Sequence, residues 1–153
     1  MAGQPMFQSV LVVCVGNICR SPVGERLLAS ALPSLRIGSA GLHAMEGYPA
    51  DTVTAEASRQ HGIDLDGHVA RMLTPALGAR HDLILVMERA HRREIGERFP
   101  ELVGRTMLFG QWIDGGADIP DPYRKPAQVH EQTVALIRRA GAAWVTRLGG
   151  QAG

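Results

Sequence analysis

The sequence predicts an α/β fold: a three-layer sandwich in which a four-stranded parallel sheet is flanked by helices. Three observations carry that prediction. Short apolar runs alternate with segments of helical periodicity, so βα units recur along the chain, and such an order builds a parallel sheet with right-handed crossovers. The clearest run, Leu83-Ile84-Leu85-Val86, is apolar without alternation, as suits a parallel strand covered on both faces. Finally, 153 residues with 45% hydrophobic and 20% charged side chains suffice for one core without disulfide or metal staples, so a single domain over 1–153 is expected.

Each element follows in order. Residues 9–13, with β-branched Val10, Val12 and Val13 around Leu11, read as a short buried strand. Ser21-Pro22 then opens a helix, with Ser21 as N-cap and Pro22 at the first helical position. Val23, Leu27, Leu28 and Ala31 form its apolar stripe, and Pro33 follows its end. A second strand is expected at 35–40, weakened by Gly38. Asp51 caps a helix that runs to His61 and stops at Gly62, and Thr74-Pro75 starts a short one. A strand at 82–87 precedes a charged helix at 88–99 and a short strand at 105–109. Residues 110–125 form a loop rich in Asp, Gly and Pro. The last helix places Val129, Thr133, Leu136, Ile137, Ala140, Trp144 and Leu148 on one face. The ends, 1–8 and 149–153, are expected to fray.

Sixteen basic residues against fifteen acidic give a net charge of +1, with no basic run. That balance argues against a nucleic-acid or polyanion binder, whose phosphate-tracking surface shows as clustered positive charge. The first nine residues carry no Lys or Arg, and the apolar run at 10–15 is far short of the roughly 20 residues that span a bilayer. A cytoplasmic protein without membrane insertion is expected. Its two cysteines, Cys14 and Cys19, exclude a disulfide-framed secreted fold and are expected to stay reduced.

Both cysteines lie in the segment Cys14-Val15-Gly16-Asn17-Ile18-Cys19-Arg20-Ser21, between the first strand and the first helix. In open α/β sheets ligands bind beyond the carboxyl ends of the strands. A loop in this position can wrap a tetrahedral oxyanion with its backbone amides, aided by the positive end of the helix. Gly16 allows a dihedral closed to other residues, and Asn17 tolerates a left-handed one. Arg20 adds a planar fork for two phosphate oxygens. Cys14, at the floor of such a cradle, faces donors that favour its thiolate. An anion cradle over a thiolate describes a phosphatase. A lone cysteine after a strand is more often a small core residue, but the spacing to Arg-Ser on a strand-to-helix turn is far more specific. A zinc site built on Cys14 and Cys19 finds no further ligands: His43, His61, His68, His81, His91 and His130 are dispersed. No metal or cofactor is called for.

Cys-x5-Arg-Ser near the start of the sequence, together with Asp121-Pro122-Tyr123, resembles the low-molecular-weight protein tyrosine phosphatases. The likeness covers 10–148. The stretch Ile119-Pro120-Asp121-Pro122-Tyr123-Arg124-Lys125 is similar above all to Gram-negative members that accompany capsule and exopolysaccharide export. The resemblance implies that Cys14 attacks phosphorus, Arg20 and the amides of 15–19 hold its oxygens, and Asp121 is the general acid. Composition alone does not separate Asp121 from Asp114 and Asp118; the flanking prolines and the match to Asp-Pro-Tyr select it. It implies further that the Ser21 hydroxyl bonds the Cys14 thiolate, and that Asn17 is linked to Ser39 and His68 behind the loop. Ile18, Leu42 and Tyr123 are the expected substrate walls, with Tyr48 a weaker one. Relatives often continue Ala-Arg-Gln where this chain has Met72, and a second tyrosine where it has Arg124. Cys19 is read either as a packing residue or as a redox partner that traps oxidised Cys14.

Three rival functions share some of these features. An arsenate reductase needs further cysteines for its electron relay. Phosphoarginine phosphatases carry Thr in place of Ile18 and Phe in place of Tyr123. A phosphotyrosine-binding module would be expected to have lost Cys14, Arg20 or Asp121. The expected partner is a phosphotyrosine protein, with a membrane tyrosine autokinase as the implied substrate and the enzyme a monomer or weak oligomer.

Overall fold

The computed structural model describes residues 7–149. Four strands, β1 (Ser9–Cys14), β2 (Arg36–Gly41), β3 (Leu83–Val86) and β4 (Thr106–Leu108), pair in the order β2-β1-β3-β4. All three pairings are parallel; Val12 stands opposite Ser39 on one side and Leu85 on the other. The helices are α1 (Arg20–Ala31), α2 (Thr52–Gln60), α3 (Pro75–Ala79), α4 (Arg89–Arg98) and α5 (Ala127–Gly149), and a 3-10 turn covers Pro100–Arg105. The expected α/β sandwich is the observed one.

Alternation along the strands builds two cores. Val10, Val12, Leu83 and Leu85 face Val23 and Leu28 of α1 and Ile137 and Trp144 of α5. Leu11, Val13, Ile84 and Val86 face Leu73, Leu77, Ile95 and Leu102. Burial on both faces explains why β1 and β3 read as unbroken apolar runs. A Cβ on Gly141 would stand 2.1 Å from Leu27 Cδ2, so glycine there sets how closely α5 can approach α1.

Three local expectations change. Ser21 is not an N-cap: α1 starts at Arg20, with Cys19 in the cap position and no side-chain cap bond. On α5, Leu136 is only half-buried, while His130, Val134 and Gly141 join the buried face, so the covered stripe is wider than the apolar one. The expected fraying at 1–8 and 149–153 falls mostly outside the described residues. Within them, Phe7 packs on the core, Gln8 N–H donates to Asp82 (2.7 Å) and Gly149 closes α5. Asp51 and Thr74 cap α2 and α3 as expected, accepting from Thr54 N–H and Leu77 N–H.

The connection from β1 goes to one neighbouring strand and the return from β2 crosses to the other side, so the order reverses at β1. Such a reversal leaves a crevice at the carboxyl ends of the strands, and the segment 14–21 lies there.

Candidate active site

Cys14 ends β1 and is 2% exposed. Its Sγ lies 3.0 Å from the Ser21 hydroxyl and accepts the Ser21 backbone N–H at 3.4 Å. Ser21 Oγ already accepts a hydrogen bond from Asn17 Nδ2 (2.7 Å), which leaves its own proton for the cysteine sulfur. This use of the hydroxyl is why Ser21 does not cap the helix.

Asn17 organises the loop. Its φ is 59°, the left-handed conformation expected for it, and it is fully buried. Nδ2 donates to Ser21 and to Ser39 Oγ (3.0 Å), and Oδ1 accepts the Arg71 N–H (2.9 Å). Ser39 passes its proton on to Glu25 Oε1 (2.5 Å). The Asn17 carbonyl accepts from His68 Nε2 (2.6 Å); a carbonyl only accepts, so Nε2 carries the proton. Burial pushes the His68 pKa below its ordinary value, partly countered by that hydrogen bond, so the ring is neutral. Gly16 differs from expectation: its φ lies outside the left-handed region and an added Cβ would meet only ordinary contacts. The reversal is taken by Asn17 alone.

The carbonyls of residues 15–18 are all engaged by partners outside the loop. Val15, Gly16 and Ile18 accept from His43, Met45 and Asp51 N–H at 2.9–3.0 Å. The N–H groups of Gly16, Asn17, Ile18 and Cys19 find no acceptor among the described residues. Orphan amides above a sulfur at a helix N-terminus form an anion cradle.

Arg20 is 1% exposed. Nη1 is saturated by Glu88 Oε2 (2.5 Å) and the Ile119 carbonyl (2.7 Å), and Nη2 lies 3.6 Å from Asp121 Oδ2. Its Nε is buried without a partner. A buried, unpaired N–H calls for an explanation, and an oxyanion in the adjacent cradle supplies one. Of the three loop aspartates, only Asp121 reaches this cleft. Asp118 accepts from the Arg89 N–H (3.0 Å) at the start of α4, and Asp114 pairs with Arg139 (3.1 Å) on the surface. The cleft encloses about 170 Å³ between Cys14, Arg20 and Asp121, with Ile18, Met45 and Tyr123 as its apolar walls and His43 at its side.

Comparison with known proteins agrees with this geometry. The profile of the low molecular weight phosphotyrosine protein phosphatases matches residues 9–152. The chain belongs to this family. Among relatives of this phosphatase, the low molecular weight protein-tyrosine-phosphatase Etp of Escherichia coli K12 is 46% identical over 145 residues, covering 95% of this chain and 97% of Etp. The structure of Vibrio vulnificus Wzb in complex with benzylphosphonate superposes with a TM-score of 0.90 at 45% identity, covering 93% and 99% of the two chains. The arginine phosphatase YwlE from Geobacillus stearothermophilus is more distant, with a TM-score of 0.84, 30% identity and 90% of each chain covered.

Two corrections and three additions concern the phosphatase cleft. Leu42 is fully buried in the core on the far side of the sheet and is no wall. It continues β2 with the parity of Ala40, and a period of two sends both to that core. Tyr48 is 56% exposed and does not line the cleft. Met45 and His43 do line it, and neither has a local signal. Glu88, which holds Arg20, follows β3 at the carboxyl end of a central strand; the switch-point rule could have singled it out. Cys19 is buried beside Ile18 and Ala70. Burial pushes its thiol up to about 12, only partly offset by a hydrogen bond from Thr54. Both cysteines are free thiols. Met72 does not disturb the polar support, because Arg71 contributes through its backbone N–H and through Nε to the Ser39 carbonyl (2.9 Å). Among the described residues no group of three or more His, Cys, Asp or Glu could hold a metal ion, and no helix is long and apolar enough to cross a membrane.

Proposed function

We propose that this enzyme hydrolyses phosphotyrosine monoesters through a cysteinyl-phosphate. The unpaired Arg20 Nε beside the orphan amides over Cys14 carries the reading. In the first step Cys14 Sγ attacks phosphorus in line and the tyrosine phenolate leaves. Nε and Nη2 of Arg20, with the amides of 16–19, take the equatorial oxygens, while Glu88 keeps Nη1 fixed. A phenolate, of pKa about 10 in the free side chain, leaves far better when protonated, and Asp121 supplies the proton. Its carboxylate then deprotonates the water that cleaves the S–P bond, and the Ser21 hydroxyl stabilises the departing thiolate.

Ile18 and Tyr123 support an aromatic substrate, since they flank the cleft with an aliphatic side chain and an aromatic ring. The similarity to Wzb and Etp supports a tyrosine autokinase of polysaccharide export as the phosphorylated partner. Phosphate release from a phosphotyrosine peptide is expected to exceed release from a phosphoarginine peptide at least a hundredfold, and Cys14→Ser is expected to abolish it. Equal rates on both peptides, or turnover by Cys14→Ser, overturn the reading.

Cys19 is the candidate redox partner of the same site. Peroxide converts the Cys14 thiolate to a sulfenic acid; Cys19 sulfur attacks it, forming the disulfide and releasing water. The raised Cys19 pKa makes this step slow at neutral pH and faster as pH rises. Peroxide-treated wild type is expected to recover activity with a thiol reductant to a greater extent than Cys19→Ala; equal recovery removes the role.

A further inference from the structure

The phosphate cradle is not the only place where cations converge. A second, larger concavity of about 540 Å³ runs along β2, the edge strand, toward the amino ends of β2 and β3. Arg36, Arg71 and Arg80 line it, all exposed, and none of the three is paired with a carboxylate among the described residues. Arg36 Nη2 donates to the Arg80 carbonyl and Arg71 Nε to the Ser39 carbonyl, which leaves the remaining guanidinium N–H groups for a ligand. The nearby Asp82 spends Oδ2 on the Gln8 N–H.

We propose that this pocket is a second anion site, which takes a small phosphorylated ligand carrying at least two negative charges. Three unpaired guanidinium groups around one cavity repel one another, and a multiply charged oxyanion relieves that repulsion through bidentate contacts. Their convergence is visible at His81. Burial is the main cause that holds its pKa below the ordinary value, and Arg36, Arg71 and Arg80 each add to the effect. His81 Nδ1 donates to the Leu77 carbonyl (2.9 Å), so Nε2 of the neutral ring is an acceptor for a hydroxyl or a phosphate proton of the ligand. The floor is open because residue 38 is glycine: a Cβ there would stand 2.8 Å from Arg71 Nη2 and 3.6 Å from His81 Nε2. The volume falls in the range of small-molecule sites. A net charge of +1 hides this pocket, because the arginines are 35 and 9 positions apart and only the fold gathers them.

Arg71 joins the two anion sites. Its guanidinium lines the second pocket, its Nε holds the Ser39 carbonyl, and its backbone N–H holds Asn17 Oδ1. A ligand that reorients Arg71 therefore acts on the residue that shapes the phosphate loop, which couples the sites without overlap.

The test uses ADP as probe at low ionic strength, titrated calorimetrically into the full chain with the catalytic cradle saturated by benzylphosphonate. ADP is expected to bind one site. The double variant Arg36→Gln/Arg80→Gln is expected to weaken that binding at least tenfold, with kcat/KM for p-nitrophenyl phosphate unchanged in the absence of ADP. ADP is also expected to change kcat of the wild type but not of the double variant. Absence of ADP binding, its loss on adding benzylphosphonate, or equal affinity in the double variant overturns the site. An unchanged wild-type kcat at saturating ADP overturns the coupling.

Discussion

The phosphate loop and the 110–125 loop serve the same cleft and are built in opposite ways. In the first, Asn17 and Ser21 are fully buried, and every polar atom of the Asn17 side chain has a partner. In the second, the Asp121 side chain is 46% exposed and, among the described residues, is steered by the Tyr123 N–H (3.0 Å) and by Arg20. The difference matches what each group must do. A cradle for a developing charge works by not reorganising, so it is locked from behind by Ser39, His68, Arg71 and Glu25. In the proposed mechanism Asp121 meets the leaving group first and water second, and its place at the solvent edge fits that use.

The largest test of this contrast is Asp121→Asn. It is expected to lower kcat on phosphotyrosine by roughly 10²–10⁴, the worth of lost acid catalysis, and by less on p-nitrophenyl phosphate, whose phenolate needs less protonation. Thermal stability is expected to be unchanged. Asp114→Asn, which removes only an exposed pair with Arg139, is the matched control and is expected to alter neither rate nor stability.

Asn17→Ala tests the locked side and is expected to lose both activity and stability. It strips the partners of Ser39 and the Arg71 N–H at a cost of about 1–3 kcal/mol. It also places alanine at φ 59°, costing roughly 1–2 kcal/mol more. Urea unfolding measures the loss of stability and kcat/KM with p-nitrophenyl phosphate the loss of activity; a variant of full stability would show that the loop is not held from behind.

The smallest effect is the pH dependence of that support. Burial holds His68, His81 and His91 below their ordinary value of 6.5, so the unfolded chain binds protons in a range where the folded chain does not. Their contribution to stability is complete above about pH 6.5 and is lost as pH falls through the folded values. The melting temperature is therefore expected to drop between pH 7.5 and 5, and less steeply in His68→Gln, which keeps a donor for the Asn17 carbonyl.

The two sides also differed in how much of them could be read in advance. The segment 14–21 was legible because its parts are contiguous: a strand end, a turn residue that tolerates positive φ, an arginine and a helix start. Where that reading went astray, at Gly16 and Ser21, a residue with an ordinary local role had been put to another use, or to none. Ser39 and His68 have no local signal and were reached through family resemblance; the structure shows them bonded to Asn17 from β2 and from the loop before α3. Leu42 was misplaced because the parity of β2 beyond its expected end decides which core it enters. Met45 and His43, which line the cleft, and Glu88, which holds Arg20, lie far from Cys14 in the sequence and join its site only through the fold.

By itself, the sequence determined the alternation that makes a doubly covered parallel sheet and the anion loop after its first strand. Both are set by periodicities and spacings shorter than one βα unit. Only the tertiary structure decided that Glu88 clamps Arg20 and that Arg36, Arg71 and Arg80 share one pocket. Those outcomes depend on the strand order β2-β1-β3-β4, which brings together residues tens of positions apart. A local pattern carries no record of that order.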